Sequence, residues 1–120
     1  MPFAPVIMKE RQSDYIINPK GISAPHMMLS FDTTGMQDEF SAAVHQADLT
    51  ARPQILEKEW NPEYYEILEE FEKLTGKGVL LNTSFNLHGY PIVYGPREAL
   101  WVFMNSDLRC LALGNYLLQK

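Results

Sequence analysis

The sequence predicts an α/β (α+β) domain: a mixed, twisted sheet with packed helices. Three observations carry this. Trp60 to Gly76 has apolar residues at helical spacing between an Asn-Pro start and a glycine stop. Short apolar runs such as Val79-Leu80-Leu81, bounded by glycine or proline, read as strands. These elements follow one another as strand, strand, helix, strand, helix, strand, an order that points to helices packed on a mixed sheet. With 120 residues, 46% of them hydrophobic, the chain can bury the core of one globular domain, residues 1–120.

Pro2 to Met8 reads as the first strand. Lys9 to Gly21 is polar around Tyr15-Ile16-Ile17 and reads as a short helix or turn closed by Asn18-Pro19. Pro25 introduces His26 to Phe31, expected as a strand with Met27 and Met28 filling gaps in the core. Asp32 to Phe40 is a loop around Gly35. In Ala42 to Ile55 an apolar Ala43-Val44 pair is followed by His45, Asp48, Thr50 and Arg52. The planar guanidinium of Arg52 matches phosphate or carboxylate oxygens; the plainer alternative is a surface or sheet-edge ion pair. For His45 the plain expectation is a satisfied, partly buried side chain beside a strand.

The helix from Trp60 to Gly76 has Asn61 as N-cap and Pro62 in the first helical position, where its missing N–H costs nothing. Glu63 and Glu66 suit the N-terminal dipole. Tyr64, Ile67, Leu68, Phe71 and Leu74 form the expected buried stripe, with Glu69, Glu70, Glu72 and Lys73 in solvent. Adjacent acids on a helix do not face each other, so this run is scaffold.

Val79 to Val93, VLLNTSFNLHGYPIV, starts as a buried strand and turns abruptly polar at Asn82, Thr83, Ser84 and Asn86. Amides and hydroxyls donate and accept, and ligands of open α/β sheets sit beyond the carboxyl ends of strands. The alternative is that these side chains only make Asx- and ST-type turns. Gly95-Pro96 opens a second helix through Met104, whose free N–H groups suit an anion near Ser84. Ala99, Leu100 and Phe103 form its apolar side. Asn105 to Asp107 turn, and Cys110 to Leu118 read as a last strand interrupted by Gly114, with Cys110 as a buried small hydrophobe.

Composition excludes several classes. A net charge of -5 and a pI near 5.1 do not fit a nucleic-acid surface. No apolar run approaches the roughly 18 residues of a membrane span, and the first residues lack a secretory pattern, so the cytoplasm is the expected compartment. The single cysteine gives no internal disulfide or cysteine-based zinc site. His26, His45 and His88 have no metal-type spacing, so no metal site is expected. No residue reads as a lone acid–base or covalent catalyst.

LNTSFN, a short spacer, G-x-PIV and a proline-led helix together resemble the signature of the carbamoyltransferase family that contains nodulation protein U and the cephamycin carbamoyltransferases. Four further stretches match in the same order: PFAP at Pro2 to Pro5, AVH-x-x-D-x-TAR-x-Q from Ala43 to Gln54, NP-x-YY from Asn61 to Tyr65, and LGNYLL-x-K at the end. The resemblance implies a YrdC-like C-terminal domain that binds carbamoyl phosphate and ATP, with Mg, to form carbamoyl adenylate. An iron-binding N-terminal domain then passes the carbamoyl group to a hydroxyl acceptor. By match to the motifs, Arg52, Asn82 and Ser84 contact carbamoyl or phosphate oxygens, with Thr83 and Asn86 in support.

The family pattern H-x-D-G-T-x-R-x-Q is not matched throughout. Leu49 stands where glycine is usual, and the aspartate is one residue further from the histidine. If that position needs a positive φ, leucine strains it. The family's arginine before PFAP and its upstream basic residues are also missing. The expectation is therefore the C-terminal part of an O-carbamoyltransferase, inactive alone, working with a companion chain that carries the missing part. Exposed sheet edge and apolar area would make a homodimer the other arrangement. A catalytically inactive YrdC-like binding or interaction module is the alternative function. A YrdC-type RNA-modification relative is disfavoured by the acidic balance.

Overall fold

The computed structural model describes residues 3–120, so Pro2 of the first expected strand lies outside the described residues. The chain forms two compact units, Met1–Thr83 and Ser84–Lys120.

In the first unit, β1 (Ala4–Met8) lies between β5 (Gln54–Leu56), parallel to it, and β6 (Val79–Asn82), antiparallel to it. The sheet is mixed, as expected. All five residues of β1 are buried because both sheet faces are covered. Val6 and Met8 join Leu56, Tyr65 and Leu68 beneath α2 (Pro62–Thr75). Ile7 points the other way, with Tyr15, Phe31, Phe40, Val44, Ala51 and Ile55. That second layer includes a small antiparallel sheet in the order β2 (Phe31–Asp32), β4 (Thr50–Ala51), β3 (Val44–His45). Tyr15 and Phe40 meet edge to face at 5.5 Å.

The Lys9–Gly21 segment holds a 3-10 turn (Lys9–Arg11) and the short helix α1 (Gln12–Tyr15). The Tyr15 hydroxyl donates to Glu39 at 3.2 Å and accepts from the Gly78 N–H at 3.0 Å. Burial pushes its pKa up. Arg11 donates to Asp14 at 2.5 Å and pairs with Glu72.

The helix boundaries of α2 match the sequence reading. The Asn61 side chain accepts from Tyr64 N–H at 3.2 Å and Gly76 closes the helix at φ 76°. Its buried stripe is rotated from the expected one. Tyr65 and Leu68 are buried, whereas Ile67 and Leu74 are 59% and 85% exposed. The apolar residues of this helix cover two overlapping stripes, and periodicity does not choose between them. Polar partners do: the Tyr65 hydroxyl donates to Glu10 at 2.6 Å and Glu72 meets Arg11, so both fit at the packed side.

Three other expectations change. His26 to Phe31 is strand only from Phe31, and Met28 is 80% exposed, so it fills no core gap. Met27 takes φ 53°, which breaks an extended run. Leu81 is 47% exposed because β6 is an edge strand of this sheet, with less cover than β1.

In the second unit, α3 (Pro96–Met104) packs Ala99 and Phe103 on Leu111, with Phe85, Val93, Leu113 and Leu118 around them. The expected last strand is a hairpin, β7 (Cys110–Leu113) and β8 (Tyr116–Gln119), because Gly114 at φ 57° turns the chain. Cys110 is exposed: in the pleat it lies opposite the buried face of Leu111. Lys120 donates to the Phe103 and Ser106 carbonyls at 2.6 and 2.5 Å, serving the C-terminal end of α3.

Candidate functional site

In the first unit, β3 and β4 form a hairpin in which His45 faces Thr50 across the ladder. Asp48 organises its turn. One carboxylate oxygen, Oδ1, lies 2.8 Å from His45 Nδ1 and accepts from both the Thr50 hydroxyl at 2.8 Å and the Thr50 N–H at 3.1 Å. Thr50, with His45 adding to it, holds the Asp48 carboxyl below the usual carboxylate range. Contrary to the sequence expectation, His45 is half exposed, because β3 lies at the edge of its sheet and Val44 takes the buried side.

Leu49 closes this turn at φ 56°. Its N–H donates to the His45 carbonyl at 2.8 Å, and its own carbonyl accepts from the Thr33 N–H at 3.2 Å and hydroxyl at 2.6 Å. The backbone is thus held in the left-handed region, the condition under which leucine is strained and glycine is not.

Arg52 follows β4 directly. Pro53, fully buried, favours an extended backbone for it and anchors the segment. The Arg52 side chain is exposed and, among the described residues, has no hydrogen-bond or ion-pair partner. The surface ion pair considered above is therefore absent there. Arg52, His45, Asp48 and Thr50 line a depression of about 240 Å³ that Phe3 and Ser30 also line. Phe3 belongs to the PFAP stretch, and its N–H donates to Ala42 O at 3.2 Å.

Asn82 ends β6, paired with Ala4. Its amide donates to Gln54 Oε1 at 3.0 Å and approaches Met27 Sδ at 3.6 Å. Gln54, the glutamine of the TAR-x-Q stretch, was not among the expected site residues. Its signal was its place in that motif, but only strand pairing brings it to Asn82. Thr83 is exposed at the end of this unit.

Ser84 and Asn86 belong to the second unit, so the polar stretch is divided between the two. There Ser84 Oγ donates to Asn86 Oδ1 at 2.6 Å, and Asn86 Nδ2 donates to the carbonyls of Leu87 at 3.1 Å and Tyr90 at 3.0 Å. Asn86 thus makes the turn-forming contacts of the plain alternative. The one hydroxyl proton of Ser84 is committed to Asn86, and an anion must compete for it.

The model of the carbamoyltransferase C-terminus family matches residues 1–120. The chain belongs to that family. MJ1051 of Methanocaldococcus jannaschii is 41% identical over 120 residues, covering 100% of this chain and 23% of the relative. Nodulation protein NolO of Bradyrhizobium diazoefficiens is 33% identical over 120 residues, covering 99% of this chain and 22% of the relative. Nodulation protein U of Sinorhizobium fredii is 39% identical over 89 residues, covering 73% of this chain and 15% of the relative. The chain therefore spans about a fifth of the length of these relatives. Among the described residues no helix is long and apolar enough to cross a membrane.

Proposed function

We propose that this chain forms part of the carbamoyl phosphate and ATP site of an O-carbamoyltransferase, serving carbamoyl adenylate formation and transfer to a hydroxyl acceptor. The observation that carries the reading is Arg52, a guanidinium with no partner among the described residues, beside an ordered His-Asp-Thr hairpin and in a depression lined by the family's own motifs. A guanidinium without a carboxylate partner is available for a phosphate or carbamoyl oxygen. Asn82, oriented by Gln54, adds an amide whose oxygen has no partner among the described residues. Thr83, at the end of the same unit, is a supporting group, and these side chains would position and neutralise charge, the usual protein contribution where phosphate-linked groups move. Within the second unit Ser84 and Asn86 are the supporting groups of the polar stretch. Mg enters with the nucleotide's phosphates; among the described residues no three metal-ligating side chains gather to hold an ion unaided.

Within the second unit Tyr94, Tyr116 and Leu117 are 99%, 77% and 74% exposed, apolar area of the kind that favours association.

Calorimetric titration with carbamoyl phosphate, with and without Mg-ATP, tests the site. Millimolar or tighter binding that falls at least tenfold in Arg52→Ala supports it. Equal binding by both proteins, or none, leaves the interaction-module function. The commitment of Ser84 and Asn86 to their own loop favours that second function.

A further inference from the structure

We propose that His45 is a second, proton-dependent contact for the oxyanion that Arg52 binds. The inference rests on the proposed site and assigns a role to a side chain outside it.

The geometry begins with Asp48. Its Oδ1 lies 2.8 Å from His45 Nδ1, and two bonds from Thr50 fix that carboxylate in place. A carboxylate on one ring nitrogen sets the tautomer: the neutral ring carries its proton on Nδ1 and leaves a lone pair on Nε2. Nε2 has no partner among the described residues. The side chains of His45 and Asp48 are 50% and 58% exposed, so their pairing adds little stability and acts mainly on orientation. His45 and Arg52 line the same depression, and Asp48 is the other titratable side chain lining it.

Charge then decides the behaviour. With His45 neutral, Arg52 and Asp48 cancel within the depression. When the ring takes a second proton, Nε2 becomes a donor and the local balance becomes positive by one unit. An oxyanion is held by Arg52 alone in the first state and by two cationic donors in the second. Affinity for the oxyanion is therefore higher when the ring carries its second proton than when it is neutral. At a solvated site the gain is about fivefold.

Sulfate is a suitable probe, since it keeps its dianionic charge across this range while phosphate esters titrate within it. Its dissociation constant would be measured by NMR on the full 120-residue chain at about pH 8 and pH 5, for the parent protein, His45→Gln and Arg52→Ala. The expected result is about fivefold tighter binding at the lower pH in the parent and a ratio near one in His45→Gln. Arg52→Ala would weaken binding at both pH values and keep the ratio. Nitrogen-15 spectra of the ring should show the Nδ1-protonated neutral tautomer, and Asp48→Asn should lose that preference. A pH ratio unchanged in His45→Gln, or an Nε2-protonated ring in the parent, overturns the role of His45 while leaving Arg52's intact. Binding unaffected by Arg52→Ala, or no sulfate binding, overturns both.

Discussion

Leu49 offers a stability test whose sign is opposite to the ordinary one. In strands and helices glycine is less stable than alanine by roughly 0.5–1 kcal/mol. At Leu49 the backbone sits at φ 56°, held by bonds to His45 and Thr33 that do not involve the side chain. Leu49→Ala and Leu49→Gly both lose the half-exposed side chain, but only the glycine variant removes the Cβ. Relief of the left-handed strain is worth roughly 1–2 kcal/mol, and glycine's freer unfolded chain takes back about 0.4–1 kcal/mol. The glycine variant should therefore be the more stable by about 0.8 kcal/mol, the difference between the midpoints of those two ranges. The two tryptophans fall one in each unit, Trp60 and Trp101. In a Trp101→Phe background, urea unfolding followed by Trp60 fluorescence reads the first unit alone. An alanine variant as stable as the glycine one would refute the claim that Cβ strain is stored at this turn.

Other consequences are independent of that one. Asn61→Ala removes the side-chain acceptor for Tyr64 N–H and should cost about 1 kcal/mol in the same unfolding assay. Gln54→Ala deprives the Asn82 amide of its acceptor; a loss of about 1 kcal/mol and faster hydrogen exchange at the end of β6 are expected. In Gly78→Ala the new Cβ would meet Arg11 Cγ at 2.9 Å and Cβ at 3.1 Å. Arg11 is tied to Asp14 and Glu72, so a loss of roughly 1–3 kcal/mol should appear as a lower urea midpoint. The Asp48 carboxyl is held below its usual range, so its stabilising contribution is complete above the ordinary aspartate value near 4 and disappears as the pH falls below it. Acid melts of the parent and Asp48→Asn should converge there; a constant gap down to about pH 2 would contradict this pairing.

The sequence alone determined the features set by local chemistry. Asn61-Pro62 and Gly76 bound α2 because capping and left-handed closure involve only neighbouring residues. Gly95-Pro96 likewise starts α3, and Val79 to Asn82 end in the polar turn where the side chains change character. The motif order was also legible, and with it the family. Tertiary structure decided whatever depends on which surfaces meet. Ile67 and Leu74 fit the helical period as well as Tyr65 does, and docking on Val6 and Met8, together with the polar partners Glu10 and Arg11, selects Tyr65. Cys110 and Met28 are apolar in type, yet the pleat of a two-stranded hairpin and the left-handed Met27 leave them in solvent. In the candidate site the residue types were readable, but their partners were not. Gln54 meets Asn82 through strands 28 residues apart in sequence, and Phe3 reaches the Arg52 depression from the other end of the unit. Such contacts arise from long-range pairing, which no window of neighbouring residues encodes.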